Sequence, residues 1–360
     1  MKRKQVTKML TAFGVAAVVM AGCGNTAGNE VQNDVNVTEG AQADVTEEAQ
    51  EEDAAVTEEA ENTDAENTDA ENTEADEEED YTTGDATLDN TRNQDEIGEN
   101  ELLVVSFGTS FNDNRRNTIG AIESKMETSF TDYSVRRGFT SQIIIDHVKK
   151  RDNVTIDNVE EALNRAVDNG VKRLVIQPTH LMNGLEYNEL VDEVAKYSDS
   201  FEKVAVGQPL LTSDDDFDKV MKAITDATKE YDDGKTAICF MGHGTEADSN
   251  SIYSKMQETL TNAGFANYYV GTVEATPSLD DVVAKVKEGN YERVVLQPLM
   301  IVAGDHANND MAGDEDGSWK TTFEKEGYQV ECVLKGLGEL EAVQDLFVEH
   351  AQAAIDTLAE

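Results

Sequence analysis

The sequence predicts an α/β protein of two similar lobes, each a parallel sheet flanked by helices, with a cleft between them. Three observations predict it. From residue 101 onward, short apolar runs alternate with longer amphipathic stretches, the pattern of βαβ units. Two segments of the first half recur, in the same order, in the second. Val105-Ser106-Phe107-Gly108-Thr109-Ser110 answers to Phe240-Met241-Gly242-His243-Gly244-Thr245-Glu246 when Gly108-Thr109 is laid on Gly244-Thr245, and Arg173-Leu174-Val175-Ile176-Gln177-Pro178 answers to Arg293-Val294-Val295-Leu296-Gln297-Pro298. Each copy then places a glycine seven residues after its glutamine, at Gly184 and Gly304.

The elements follow in order. Strands are expected over 102–107, 174–177, 204–206, 237–241, 268–272, 294–297 and 329–334, short apolar runs of the kind that a sheet covered on both faces requires. Helices are expected over 117–128, 140–151, 155–169, 184–197, 214–231, 250–263, 279–288, 319–326 and 340–358. In 155–169, for example, Val159 and Leu163 stand four apart and share one face. The halves join near 231–235, giving an N-terminal lobe of 101–233 and a C-terminal lobe of 234–360 that carries the candidate site.

The first hundred residues differ from the rest. Lys2, Arg3, Lys4 and Lys8 precede an apolar run over 13–20, and small residues lead to Cys23, the parts of a secretory signal. A membrane-spanning helix needs roughly 20 apolar residues, more than this run supplies. The residues directly before Cys23 resemble the lipobox of exported lipoproteins. Residues 1–22 therefore read as a lipoprotein signal peptide and Cys23 as the lipidated first residue of the mature chain. That reading places the protein outside the cytoplasm, held by a lipid anchor at the outer face of the cell membrane or in the periplasm.

Residues 24–100 hold 27 acidic side chains against one basic, Arg92, and include the repeats 60–64, 65–69 and 70–74. Few side chains there can form a core and like charges repel, so 23–100 reads as a disordered, solvated tether. Residues 101–360 still carry 47 acidic residues against 24 basic, which argues against nucleic acid as a partner. Cys239 and Cys332 each lie in an apolar run; in an exported protein they could pair, but two cysteines give no disulfide framework and buried free thiols are expected.

Ligands of parallel sheets bind beyond the carboxyl ends of the strands, where all four recurring segments terminate. Of the five histidines, three lie in or just after those segments: His180, His243 and His306. Glu274 follows a further strand. His243, Glu274 and His306 thus come from three strand ends of the second lobe. Imidazoles with a carboxylate suit a divalent first-row metal, Co2+, Ni2+ or Fe2+, with coordination positions left open. Glycines around His243 and before His306 let the backbone pass close to a flat ligand, and Asp305 is placed to orient an imidazole.

Arg115 and Arg116 are candidates for bidentate carboxylate binding or for surface charge at a helix start. His147 and His350, inside helices, read as surface or packing residues. No Gly-x-Gly-x-x-Gly follows a strand, and neither a P-loop nor a nucleophile elbow is present. Nicotinamide, nucleotide triphosphate and serine-hydrolase chemistries fall behind accordingly.

Three motifs carry a resemblance. They are Ser106-Phe107-Gly108-Thr109-Ser110 with Arg115 and Thr118-Ile119 downstream, Met241-Gly242-His243-Gly244-Thr245, and Ala303-Gly304-Asp305-His306-Ala307-Asn308-Asn309-Asp310-Met311. Here the chain resembles the anaerobic sirohydrochlorin cobaltochelatases of the CbiK family, class II tetrapyrrole chelatases, from about Glu101 to the C-terminus. The resemblance implies a chelatase-like fold and insertion of Co2+ into sirohydrochlorin on the cobalamin pathway. It implies His243 as metal ligand and proton acceptor, with Glu274 and His306 as further metal ligands. It also implies substrate-binding roles for His180, Ser110, Arg115 and Glu186, with His180 standing where some relatives bind haem. The chain departs from the family pattern at Ala275-Thr276, where glycine and tyrosine are usual, and at Leu185, where an acidic residue is. A second reading, a surface lipoprotein that holds haem, a corrinoid or a metal without catalysing insertion, calls for the same metal site.

Overall fold

The computed structural model describes residues 83–359. The expected signal peptide, Cys23 and the tether up to residue 82 lie outside the described residues. Strands β1 (Asn100–Ser106), β2 (Ser134–Phe139), β3 (Arg173–Pro178) and β4 (Lys203–Val206) form a parallel sheet in the order β2-β1-β3-β4. Strands β5 (Thr236–Gly242), β6 (Tyr268–Thr272), β7 (Arg293–Pro298) and β8 (Gln329–Cys332) form a second in the order β6-β5-β7-β8. The two orders are the same. So is the register: Val104 pairs with Gln177, and Phe240 pairs with Gln297. That is the pairing required when Gly108 is laid on Gly244 and Gln177 on Gln297, so the duplication read in the sequence is a duplication of structure.

The helices are α1 (Asn112–Asn117), α2 (Ile119–Ser129), α3 (Gln142–Asp152), α4 (Val159–Asp168), α5 (Leu185–Ala195), α6 (Asp214–Ala227), α7 (Ser251–Asn262), α8 (Leu279–Glu288), α9 (Trp319–Lys325) and α10 (Glu341–Thr357). Side chains of a strand alternate between its faces, and here both faces are covered. Leu102 and Val104 of β1 join Ile238 and Phe240 of β5 in a core built with α2, α6, α7 and α10. Leu103 and Val105 face the other way, onto α4 and α5, while Ala237, Cys239 and Met241 face α8 and α9. The continuous apolar runs of the sequence are the consequence. Helix starts are set locally: Asn158 with Glu161, Ser213 with Asp216 and Ser278 with Asp281 form capping boxes at α4, α6 and α8.

Four expectations are corrected. Strand β2 was not anticipated, because Arg136 and Arg137 put two charges in its centre; both are buried. Arg137 binds Glu123 through Nε and Nη2, each at 2.7 Å, and also Asp89, while Arg136 donates to the carbonyl of Arg92 at 2.7 Å. The helix expected over 117–128 is α2, and a short helix that was not expected, α1, precedes it and meets it at Thr118. The tether expected to reach residue 100 ends sooner, since Asp89 and Arg92 are packed into the first lobe, where Asp89 accepts from Arg115 and Arg92 lies 3.2 Å from Glu123. Finally, α10 falls in the sequence range given to the second lobe but packs on β3, β4, α2 and α6 of the first. Cys239 and Cys332 are free, as expected, the first buried and the second partly exposed. No helix among the described residues is long and apolar enough to cross a membrane.

Candidate metal centre

His243, Glu274 and His306 come together at the carboxyl edge of the second sheet. His243 follows β5, Glu274 follows β6 and His306 lies beyond β7. One ligand atom from each falls within 4.8 Å of the other two. The imidazole rings of His243 and His306 meet edge to face, centroids 4.6 Å apart at 83°, and His243 Nδ1 lies 3.8 Å from Glu274 Oε2. Two ligands on one first-row ion stand no more than ~4.2 Å apart. The three donors are thus gathered close to the spacing that one ion requires.

Backbone geometry holds the trio. The N–H groups of Val273 and Glu274 both donate to the carbonyl of His243, at 3.1 and 2.9 Å, which ties the β6 loop to the β5 loop. Gly244 has φ +93°, and a Cβ there would stand 2.8 Å from the nitrogen of Ala275. Only glycine fits both the left-handed backbone and that approach. His306 begins a π-helical turn, Ala307–Met311, the kind of local irregularity that frequently marks a functional site.

The histidine nitrogens are sorted by their partners. His306 Nδ1 is 2.7 Å from Asp310 Oδ2, and His243 Nδ1 is 2.8 Å from the Gly244 carbonyl. Donation from each Nδ1–H to an oxygen leaves both Nε2 lone pairs for a metal, and the oxygen partner fixes the orientation of the ring. The orienting carboxylate is Asp310. Asp305, expected in that role, instead accepts from Asn309. The signal was in the sequence: four residues separate His306 from Asp310, the spacing at which side chains on a helical turn meet.

Across the cleft, the first lobe places His180 and Glu186 beyond β3. Under the lobe superposition, Glu186 answers to His306 and Phe107 to His243, so the first lobe has no second copy of the histidine pair. His180 is buried and neither ring nitrogen has a hydrogen-bond partner; Nε2 lies 3.6 Å from Glu186 Oε2. Burial pushes the Glu186 carboxyl up, and His243 partly offsets this.

Burial also pulls the His180 imidazole down to about 4, below the ~6.5 of an unfolded histidine. Between those values the unfolded chain binds more protons, so the stability held at neutral pH is lost as pH falls through that window. Urea titrations at pH 7 and pH 4 should differ by about 3 kcal/mol more for the wild type than for His180→Gln. Equal pH slopes would show that the imidazole is reached by solvent.

The other expected substrate contacts divide. The Ser110 loop is at the edge, its carbonyl accepting from Arg151 Nη2 at 2.6 Å. Arg115 points inward, contrary to expectation: it is fully buried and donates to Asp89 Oδ2, the Thr109 carbonyl and Asn112 Oδ1. Its guanidinium is consumed in shaping the β1 loop. Arg116 pairs with Asp113 on the surface. His350 packs between Asp216 and the Gln208 carbonyl, and His147 is partly buried on α3.

A duplicated parallel-sheet fold with a His-Glu-His cluster that could hold a metal ion at the edge of one lobe defines the class of protein. The fold is shared with SirB from Bacillus subtilis solved with Fe3+ (TM-score 0.51, 12% identity, covering 73% of this chain and 98% of that one). It is shared equally with the sirohydrochlorin chelatase SirB of Bacillus subtilis subspecies spizizenii in complex with cobalt (TM-score 0.51, 12% identity, 72% and 97%). Residues 100–356 match the cobalt chelatase (CbiK) family. The sirohydrochlorin cobaltochelatase of Salmonella typhimurium is 36% identical over 259 residues, 72% of this chain and 97% of its own length. The sirohydrochlorin cobaltochelatase CbiKC of Nitratidesulfovibrio vulgaris is 29% identical, over 71% and 91%. The chain belongs to the CbiK cobalt chelatase family.

Proposed function

We propose that this protein inserts Co2+ into sirohydrochlorin. The observation that carries the reading is the convergence of His243, Glu274 and His306 at one sheet edge facing the cleft, in a chain whose relatives bear that activity in their names. Three protein ligands leave coordination positions through which an ion can be handed on. Insertion releases two pyrrole N–H protons; as the ion passes to the ring, the vacated Nε2 of His243 accepts one and the other is released to solvent. Asp310 holds His306 in register while this happens.

The tetrapyrrole lies between the metal site and the wall formed by His180, Glu186 and the Ser110 loop. With Arg115 buried, its carboxylates are met by backbone N–H groups, including the start of α5, where Gly184 supplies no side-chain cap. Ni2+ and Fe2+ suit the same donors, so supply decides among metals. Mixing the purified protein with sirohydrochlorin and Co2+ tests the reading. Accelerated appearance of the cobalt complex is expected. Tight capture of haem or a corrinoid with no acceleration would establish a carrier instead.

The same reading extends to location. Residues 1–22 direct export and Cys23 carries a lipid that holds the enzyme at the membrane surface, the acidic stretch before residue 83 acting as spacer. Cys23→Ser is expected to move the protein from the membrane fraction to the soluble one, and retention in the membrane fraction would exclude this anchor.

A further inference from the structure

We infer that Asn114, in the first lobe, is a positioning residue for the metal centre in the second, and that residues 83–92 are its footing. The inference rests on reading His243, Glu274 and His306 as the metal site. His306 is carried by the loop that leaves β7. That loop is braced against the opposite lobe: the N–H of Ala303, a buried residue, donates to Asn114 Oδ1 at 2.8 Å. One residue on, Gly304 lies against Thr109, so that a Cβ there would stand 3.1 Å from Thr109 Oγ1. Asn308 then closes the loop on itself by donating to the carbonyls of Ala303 and Gly304. The position of His306 relative to the first lobe is thus referred through Ala303 to Asn114.

Asn114 sits on α1, six residues long and too short to hold its own shape in water. It is held from below. Arg115, wholly buried, donates to Asp89, to the Thr109 carbonyl and to Asn112. Asp89 belongs to the arm that precedes β1 and is gripped a second time by Arg137. The same arm accepts from the N–H of Asp113 through the Thr83 carbonyl at 2.6 Å, and from the Asn112 side chain through Gly84. A line of contacts runs from the arm through Arg115 and α1 to Ala303 and the loop that bears His306. Its consequence is that the ion is presented at a fixed distance from the wall of His180 and Glu186.

The test compares Asn114→Leu, which keeps the branched skeleton and removes the acceptor, with Asn114→Asp, which keeps an acceptor oxygen, both in the full chain. Co2+ binding is followed by its visible absorption, and amide exchange by peptides covering 299–311. Asn114→Leu is expected to weaken Co2+ binding about ten-fold, equivalent to about 1.4 kcal/mol, and to speed exchange in that peptide. Asn114→Asp is expected to restore both. If the leucine variant does not fold, Asn114→Ala takes its place in the same comparison. Wild-type Co2+ affinity in the variant lacking the acceptor overturns the inference, as does an equal loss in a folded Asn114→Asp. Neither readout needs turnover, so a protein that binds Co2+ but inserts none leaves the inference standing while the proposed activity fails. Unchanged Co2+ binding in His243→Ala would overturn the metal-site reading, and this inference with it.

Discussion

Replacing His243 by alanine is expected to lower the rate of Co2+ insertion by two to four orders of magnitude, the range over which a positioned acid–base group acts. The size follows from the double duty assigned to it. On the proposed reading the residue is one of three ligands at the ion and the proton acceptor for the ring, and its main chain supplies the carbonyl that accepts from the Glu274 N–H. His306→Ala removes a ligand but leaves the acceptor, so it should weaken Co2+ binding while costing less in the bound complex. The double variant should be little worse than His243→Ala alone, because groups that act as a unit are not additive. Initial rates over a range of Co2+ concentrations separate these outcomes. Losses that multiply in the double variant would mean that the two imidazoles serve different steps at different places.

Arg137→Met should destabilise the protein by about 3–5 kcal/mol, the cost of leaving buried carboxylates without their counter-ion. Arg137 and Glu123 are both fully buried, and Asp89, nearly so, shares the same guanidinium. Burial alone pushes the Glu123 carboxyl up and Arg137 opposes that push. In the variant, Glu123 is therefore expected to take up a proton on folding, which deepens the pH dependence that its raised carboxyl already gives the wild type. Urea unfolding at two pH values measures both effects. A loss below about 1 kcal/mol would show that Arg92, 3.2 Å from Glu123, is a sufficient counter-ion by itself. The methionine keeps the stem volume, so the comparison isolates charge from packing.

Much of this was legible in the chain itself. Apolar runs such as 102–105 and 237–241 have no other home than a sheet covered on both faces, and the paired recurrence of Gly108-Thr109 and Gln177-Pro178 marks two like halves. The site was legible for the same reason: repeated strand ends mark one edge, and the histidines cluster at that edge. What escaped the sequence is instructive. Arg136 and Arg137 spell a surface, and only the carboxylates of Asp89, Glu123 and Asp157, distant in the chain, turn β2 into a buried edge strand. Arg115 escaped in the opposite sense: a basic residue beside a cleft suggests a ligand clamp, yet Asp89 claims it. Long-range ion pairing is invisible to periodicity, which reads only neighbours. The same blindness hid Asp89 and Arg92, which follow a long acidic stretch in the sequence although both are paired inside the fold.

The single core that lies between the two sheets has a mechanical consequence. Helices from both halves, α10 among them, interlock there, so the walls of the cleft are not two plates on a hinge but two faces of one close-packed solid. Interiors of that density resist compression. When a stiff body grips a pliable one, the pliable one bends, and a tetrapyrrole held against these walls is the pliable partner. A ring that is bent out of plane turns its nitrogen lone pairs toward one side. The fold then does part of the chemistry by declining to move, and evolution can tune the reaction through the spacing of the walls without touching the ligands of the ion.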